Sequence, residues 1–273
     1  MRPEDKTTLA ASFGHDAPGY AAHRPGYPAE AVTWMVGGRR ADVLDLAAGA
    51  GALAAGLRSA GHSVVAADLS LAMLRQLGAA GSTGRVLQSI AEELPFAAAS
   101  FDVVTVGTAF HWFEPGRALP EISRVLQPAG RLGLVWNSRD ETMPWVQRLG
   151  DLLRGVQPPD LGEDWGTGSV TALAESSLFR EMEYAEFSSA QALDLTGLIG
   201  LVSSRSYVIE LDAQRRRRLC ADVTRLYDET AGHDEAADVP KHVWLPYRTQ
   251  CWRATARHWR SRDLVGPPRA TGA

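Results

Sequence analysis

One stretch, residues 41–68, constrains the architecture of this chain more than any other. Ala41-Asp42-Val43-Leu44-Asp45-Leu46 is short and largely apolar, Gly49 and Gly51 follow it, Ala52 to Ala60 reads as a helix closed by Gly61, and Ser63 to Ala67 is a second apolar run ending at Asp68. Strand, glycine turn, helix and strand in that order make a βαβ unit, whose two strands are parallel and whose crossover is right-handed. A parallel sheet is buried on both faces, so the rest of the chain has to supply helices to each side.

The remaining sequence keeps that rhythm. Apolar residues recur at helical spacing from Pro28 to Val36, and Gly37-Gly38 stops the run. Leu71 to Leu77 is a helix, Val86 to Ile90 a third strand and Phe101 to Val106 a fourth. Ala118 to Leu126 forms a helix, Pro128-Ala129-Gly130 breaks it, and Arg131 to Trp136 supplies a fifth strand. Beyond Pro144 the pattern loosens: a helix at Trp145 to Leu153, a Pro/Gly-rich loop from Gln157 to Gly168, a strand at Glu181 to Phe187, two helical stretches up to Thr230 and a last strand at His242 to Trp252. The Gly/Pro-rich tail from Gly266 reads as disordered. The expected fold is α/β, a doubly wound, mostly parallel seven-stranded sheet with an α-helical lid. It forms one domain over 1–273, with a ligand-binding core at about 28–140 and a lid and substrate region in 1–27 and 141–260.

Composition narrows the functions open to such a fold. With 273 residues, 45% of them hydrophobic, the chain can bury a full core. A net charge of -4 and a pI near 6.0 write no basic footprint over the whole chain, which argues against a nucleic-acid substrate. Arg215-Arg216-Arg217-Arg218 is a solvated stretch on this reading, because four consecutive helical residues point all round the axis. Cys220 and Cys251 offer no metal-ligand spacing and read as structural thiols in a reducing compartment. No apolar run is long enough for a membrane span and the N-terminus is too polar for a signal peptide, so a cytoplasmic location is expected. Of the 28 basic residues only Lys6 and Lys241 are lysines, a bias expected of a GC-rich bacterial genome.

Gly49-Ala50-Gly51-Ala52-Leu53-Ala54 fits the dinucleotide fingerprint, with Asp68 placed for ribose hydroxyls; a tightly packed strand-to-helix turn would leave the same pattern. Asp45 separates the readings, since a carboxylate beside the loop suits a ligand carrying ammonium and sulfonium charge. Val43-Leu44-Asp45-Leu46-Ala47-Ala48-Gly49-Ala50-Gly51 resembles the first motif of class I S-adenosylmethionine-dependent methyltransferases, with Ala47 where the first glycine usually stands. At a negative φ the extra methyl of Ala47 leaves the backbone open to the ligand. Asp68-Leu69-Ser70 resembles the second motif, and Gln88 to Phe96, Ser100 to Val104 and Arg124 to Gly130 extend the likeness over roughly residues 13 to 137. Tyr20 to Pro28 and Ala109 to Phe113 are similar to the branch that includes trans-aconitate methyltransferase and actinobacterial small-molecule enzymes of secondary metabolism.

The resemblance implies S-adenosyl-L-methionine as donor, S-adenosyl-L-homocysteine as product, and no metal. It implies donor contacts at Tyr20, Arg24, Asp45, Ala47, Ala48, Gly49, Gly51, Asp68, Leu69, Met73, Ile90, Ala91, Glu92 and Thr108. Tyr20 and Arg24 are similar to a pair that meets the methionine carboxylate, and Asp68 takes the ribose. Ile90 replaces a common Asp, leaving apolar packing and the Ala91 N–H for adenine. Transfer to a small molecule at O, N or C needs positioning more than acid–base work. His111, at the end of the fourth strand, is the candidate general base, ahead of His15, His23 and Tyr27. Tyr27, His111, Trp112, Trp136, Arg205 and Tyr207 are the candidate substrate contacts, and a wall of Trp112, Trp136 and Tyr207 would suit a flat acceptor such as an indole. Two rival readings use the same loop: an NAD-dependent oxidoreductase, and a catalytically silent cofactor-binding regulatory protein, which Ala47 and Ile90 would fit. Acceptor identity and oligomeric state are not written in the sequence.

Overall fold

The computed structural model describes residues 23–79, 84–158, 167–231 and 242–257. Seven strands form one sheet: β1 (Asp42–Leu46), β2 (Ser63–Asp68), β3 (Arg85–Gln88), β4 (Phe101–Gly107), β5 (Leu126–Arg139), β6 (Phe179–Leu193) and β7 (Val243–Ala256). Their order is β3-β2-β1-β4-β5-β7-β6. The first five strands run parallel, while β7 pairs antiparallel with both β5 and β6. The doubly wound, mostly parallel seven-stranded sheet expected from the sequence is therefore the fold.

Alternation along the strands divides the core. Leu44 and Leu46 of β1, Val104 and Val106 of β4 and Leu132, Leu134 and Trp136 of β5 pack with Ala118, Leu119, Ile122 and Val125 of α4 (Pro115–Val125). Their neighbours Val43, Val103 and Val135 face the other way, onto α1 (Ala29–Val36) and α2 (Ala52–Ser59). Period-2 alternation delivers this split without further instruction. A helix over Leu71–Ala79, α3, adds Leu77 to the second face. A third cluster joins β7 to α5 (Pro144–Arg154), α7 (Leu195–Ser203), α8 (Ser206–Ile209) and α9 (Ala213–Thr230), through Val146, Leu149, Leu201, Val208, Val223 and Leu245.

Three boundaries differ from the sequence reading. β5 starts at Leu126, so the Pro128-Ala129-Gly130 break lies within the strand as an irregularity opposite Phe101–Val103, with Ala129 at φ 62°. β6 runs over Phe179–Leu193 rather than Glu181 to Phe187. α6 (Thr167–Ala174) occupies the end of what reads as loop. Tyr20, His15 and the tail from Gly266 lie outside the described residues. No helix among the described residues is long and apolar enough to cross a membrane.

Candidate donor and acceptor site

The strand order reverses between β1 and β4, and the carboxyl ends of β1, β2 and β4 border the crevice where open α/β sheets bind ligands. The turn from β1 into α2 forms its floor. Ala48 N–H donates to the Ala67 carbonyl at 3.0 Å and Gly51 N–H to the Ala48 carbonyl at 2.9 Å, so the turn is stitched to β2 and to itself. Gly49 and Gly51 have φ of 56° and 92°, the left-handed region that glycine enters without strain. A Cβ on Gly51 would come within 2.7 Å of Leu77, whereas one on Gly49 would meet nothing within 4 Å. Gly51 therefore serves packing as well as conformation, and Gly49 faces open space.

Ala47 corrects one expectation. Its φ is 55°, not negative, so the residue that replaces the usual glycine carries its methyl in the left-handed region. That conformation costs an L-residue roughly 1–2 kcal/mol. Ala47→Gly removes the strain but enlarges the unfolded ensemble, so a net stabilisation of about 0.5–1 kcal/mol is expected. Urea denaturation of the unliganded protein checks it, and a destabilised variant would show that Ala47 is at ease in this turn.

Asp68 ends β2 and ties the floor together: its Oδ2 accepts from Gly49 N–H at 2.8 Å and its Oδ1 from Ser70 N–H at 2.7 Å. Burial pushes its pKa up, and these two amides pull it back down. Each carboxylate oxygen keeps a further lone pair for an incoming hydroxyl. Asp45 is wholly buried; its Oδ1 accepts from the Thr105 hydroxyl at 3.0 Å, while Oδ2 is shielded from solvent with no hydrogen-bond partner. Burial pushes its pKa up to about 7, against the hydrogen bond from Thr105, the positive charge of Arg58 and the Ala54 amide of α2. An acid kept at such cost beside a glycine turn fits a site built for a cation.

Apolar surface flanks the acids. Leu69 and Ile90, just beyond β2 and β3, are 40% and 38% exposed, while Met73 and Ala91 are buried. Ile90 bridges to Glu93, and the Ser89 hydroxyl donates to the carbonyls of Ile90 and Glu93 at 2.9 and 3.2 Å, which fixes this edge. Exposed aliphatic side chains on a fixed edge suit a planar ring. Glu92 is engaged elsewhere, its Oε1 accepting from Glu114 N–H at 2.9 Å at the start of α4. Thr108 has φ of 54°, its N–H donates to the Val135 carbonyl at 2.7 Å, and its hydroxyl is 3.1 Å from that of Tyr27. Tyr27 thus crosses the end of β4, close enough to Gly107 that a Cβ there would stand 2.8 Å from its hydroxyl.

His111 lies in a short 3-10 turn (Phe110–Trp112) just beyond β4, its ring 4.6 Å from that of Trp112 and both ring nitrogens shielded from solvent. Trp136 meets Trp252 edge-on at 5.4 Å and belongs to the cluster on the α4 side of the sheet, against which Trp112 also packs. Tyr207 belongs to the cluster under α7 and α9 instead. The structure therefore does not gather Trp112, Trp136 and Tyr207 into one aromatic wall.

Sequence reading missed the polar ladder that connects the two halves. The Asn137 amide donates to the Gly26 carbonyl at 2.9 Å and its Oδ1 accepts from the Thr249 hydroxyl at 2.7 Å. Tyr247 donates to Gln191 Oε1 at 3.2 Å, and the Gln191 amide donates to the His23 carbonyl at 3.1 Å. These bonds pin residues 23–27 across β5, β7 and β6. No group of three or more His, Cys, Asp or Glu that could hold a metal ion occurs among the described residues.

Comparison with known proteins agrees with this layout. A family model described as a methyltransferase domain matches residues 44–134. Methyltransferases of Mycobacterium bovis and Mycobacterium tuberculosis, both uncharacterized, are 39% identical over 247 residues, covering 90% of this chain and 96% of theirs. An uncharacterized methyltransferase-like protein of Schizosaccharomyces pombe is 29% identical over 88% of this chain and 94% of its own. A solved structure from Anaeromyxobacter dehalogenans, provisionally assigned as a type II methyltransferase, superposes with a TM-score of 0.62 at 22% identity, covering 86% of this chain and 99% of that one.

Proposed function

This chain belongs to the class I methyltransferase family, and from that premise we propose that it transfers the methyl group of S-adenosyl-L-methionine to a small molecule. The observation that carries the reading is the Asp68 carboxylate, locked by the amides of Gly49 and Ser70 at the lip of the β1–β4 crevice. Its two remaining lone pairs are set for the ribose hydroxyls of the donor. Asp45, with a buried and unpartnered Oδ2, supplies negative charge next to the turn that would carry the methionine moiety. Leu69 and Ile90 offer apolar faces for adenine.

Bound S-adenosyl-L-methionine supplies a methyl group already activated by a sulfonium, so what remains for the protein is to hold the acceptor in line with it and to keep water out. Residues 23–27 lie over the carboxyl ends of β4 and β5 and close the crevice from that side. His111, in the turn just beyond β4, would be the general base where the acceptor is a hydroxyl or a neutral ring nitrogen. The residues up to about 27 and after about 141 serve as lid and acceptor region around a core of about 28–140.

Calorimetric titration with S-adenosylmethionine, S-adenosylhomocysteine and NAD tests the reading. Micromolar affinity for the first two and none for NAD is expected. Binding of NAD in their place would overturn it.

A further inference from the structure

β6 is the last strand of the sheet, and among the described residues it pairs only with β7. Its outer edge presents a row of main-chain N–H and C=O groups with no strand beside them, which proteins ordinarily guard with charge, proline or a bulge. One end is guarded in that way: the pairing with β7 slips between Arg180 and Glu183, and Glu181 there has φ of 55°. From Glu183 to Leu193 the register runs unbroken over eleven residues, none of them proline. The two carboxylates in that run do not protect the edge, because both are drawn inward onto β7. Glu183 accepts from Arg253 at 3.0 and 2.8 Å, and Glu186 pairs with Arg248 at 3.1 Å. What is left is a long, regular edge whose charges are already matched.

The sheet face next to this edge also holds apolar surface in water. Tyr184 and Trp244 are 51% and 66% exposed, and they share a face with Ser188, Ala190 and Ala192, which are exposed too. Tyr184 packs on Trp252 with ring centroids 5.0 Å apart. Trp244 stands opposite Ala192, whose methyl covers little of an indole. A tryptophan in this position forgoes the burial that its size would give, beside a shelf of small side chains that leaves room for a partner.

We propose that this edge is a homodimer interface, in which β6 pairs antiparallel with β6 of a second copy about a two-fold axis through Ser188. Symmetry sets that register. Opposite residues of an antiparallel pair share a face, and a two-fold axis perpendicular to the sheet keeps each face continuous, so the axis passes through a residue and not between two. The middle residue of the regular run Glu183–Leu193 is Ser188. Glu183 then faces Leu193 of the partner subunit, Glu186 faces the partner's Ala190 and Tyr184 the partner's Ala192, so no carboxylate meets another. Beyond the partner's Ala192 lies the partner's Trp244, two strand spacings or about 10 Å from Tyr184, a gap that two aromatic side chains close over the alanine methyl. Eleven residue pairs make about ten main-chain hydrogen bonds, the number carried by a standard interface. A second copy is the occupant because the run complements itself: Tyr184, Glu186 and Phe187 each meet a small residue of the other chain. The association does not depend on the methyl-transfer reading.

Sedimentation of the full chain from about 1 to 100 μM is expected to show a dimer. Trp244→Ala and Ser188→Lys should each weaken association at least tenfold, the second by placing two ammonium groups at the axis beside both copies of Arg248. Both positions are exposed in the single chain, so the circular dichroism of the variants should match that of the wild type. The register has its own test. Opposite residues of an antiparallel pair have Cα atoms about 4.5–5.5 Å apart, within reach of a disulfide, so Ser188→Cys should cross-link two chains on mild oxidation. Ala192→Cys lies about 26 Å from its copy and should not, with the wild type, which keeps Cys220 and Cys251, as the background. A wild-type chain that stays monomeric at the highest concentration would overturn the proposal. So would association unmoved by the Trp244 and Ser188→Lys variants, or a dimer in which Ala192→Cys cross-links as readily as Ser188→Cys.

Discussion

Asp68→Ala is expected to weaken S-adenosylhomocysteine binding by roughly 100- to 10,000-fold. A hydrogen bond to a charged partner is worth about 1.5–3 kcal/mol, and the variant loses two of them, those from the ribose hydroxyls. At 1.4 kcal/mol for each tenfold change, a loss of about 3–6 kcal/mol spans roughly two to four decades of affinity. The carboxylate does a second thing that the substitution also removes: it holds Gly49 and Ser70 by their amides, so the floor of the crevice loses its tie to β2. Asp68→Asn separates these roles. Its single carbonyl oxygen can keep one amide, while its NH2 group presents donors to hydroxyls that need acceptors, so affinity should fall by about tenfold or more with little loss of stability. Calorimetry gives the affinities and thermal unfolding of the unliganded variants gives the stabilities. Full donor affinity in Asp68→Ala would remove the ribose assignment, and with it the central support for the proposed activity.

How much of this was legible depended on whether a feature is local. The βαβ unit was readable because an apolar strand, a glycine turn and an acid at the next strand end all fall within residues 41–68, and the 2.8 Å bond from Gly49 to Asp68 is the contact that this spacing creates. The φ of Ala47 was not readable, because the left-handed conformation is imposed by the turn's bonds to β2 and not by the alanine. β6 looked short because it is the edge strand of the sheet: from Arg180 to Ala192 its residues are exposed or half-buried, and the apolar alternation that marks a strand fades. β5 looked late because a positive φ at Ala129 lets the strand pass through a Pro-Ala-Gly sequence that ordinarily ends one. The aromatic wall failed for a different reason. Trp136 of β5 and Tyr207 of α8 are both buried aromatics, but hydrophobicity does not say which cluster each will join. The polar ladder draws on positions 23, 26, 137, 191, 247 and 249, and no local spacing joins residues so far apart.

Asp45→Asn is expected to stabilise the unliganded protein while weakening its hold on the donor, and the stability effect should depend on pH in a defined direction. Burial raises the folded-state pKa of Asp45 from 3.8 to about 7. Between those values the folded state keeps a proton that the unfolded state has released, so stability falls as pH rises through that window and levels off above it. At pH 8 the wild type carries the full cost of a buried carboxylate. The asparagine keeps an oxygen for the Thr105 hydroxyl and carries no charge, although its NH2 group still needs partners. The net gain should be about 2 kcal/mol at pH 8, smaller at pH 6 and smallest as pH approaches 4, where the folded carboxyl is neutral and the unfolded one is close to half protonated. Urea unfolding at the three pH values measures it, and a gain that did not shrink with falling pH would rule out ionisation of Asp45 as its source. The same acid should be useful once a cation arrives. Donor binding favours the anionic form, so at pH 7 it should release a fraction of a proton, seen as a binding heat that changes with the ionisation heat of the buffer. The release should vanish in Asp45→Asn, and donor affinity at pH 8 should drop by about tenfold, the value of one lost charge contact in a partly shielded site. A variant that gained stability and kept both affinity and proton release would leave the burial of this acid without a functional reason. Both losses together would show that the unliganded fold gives up stability to keep a negative charge where the donor's positive charge will lie.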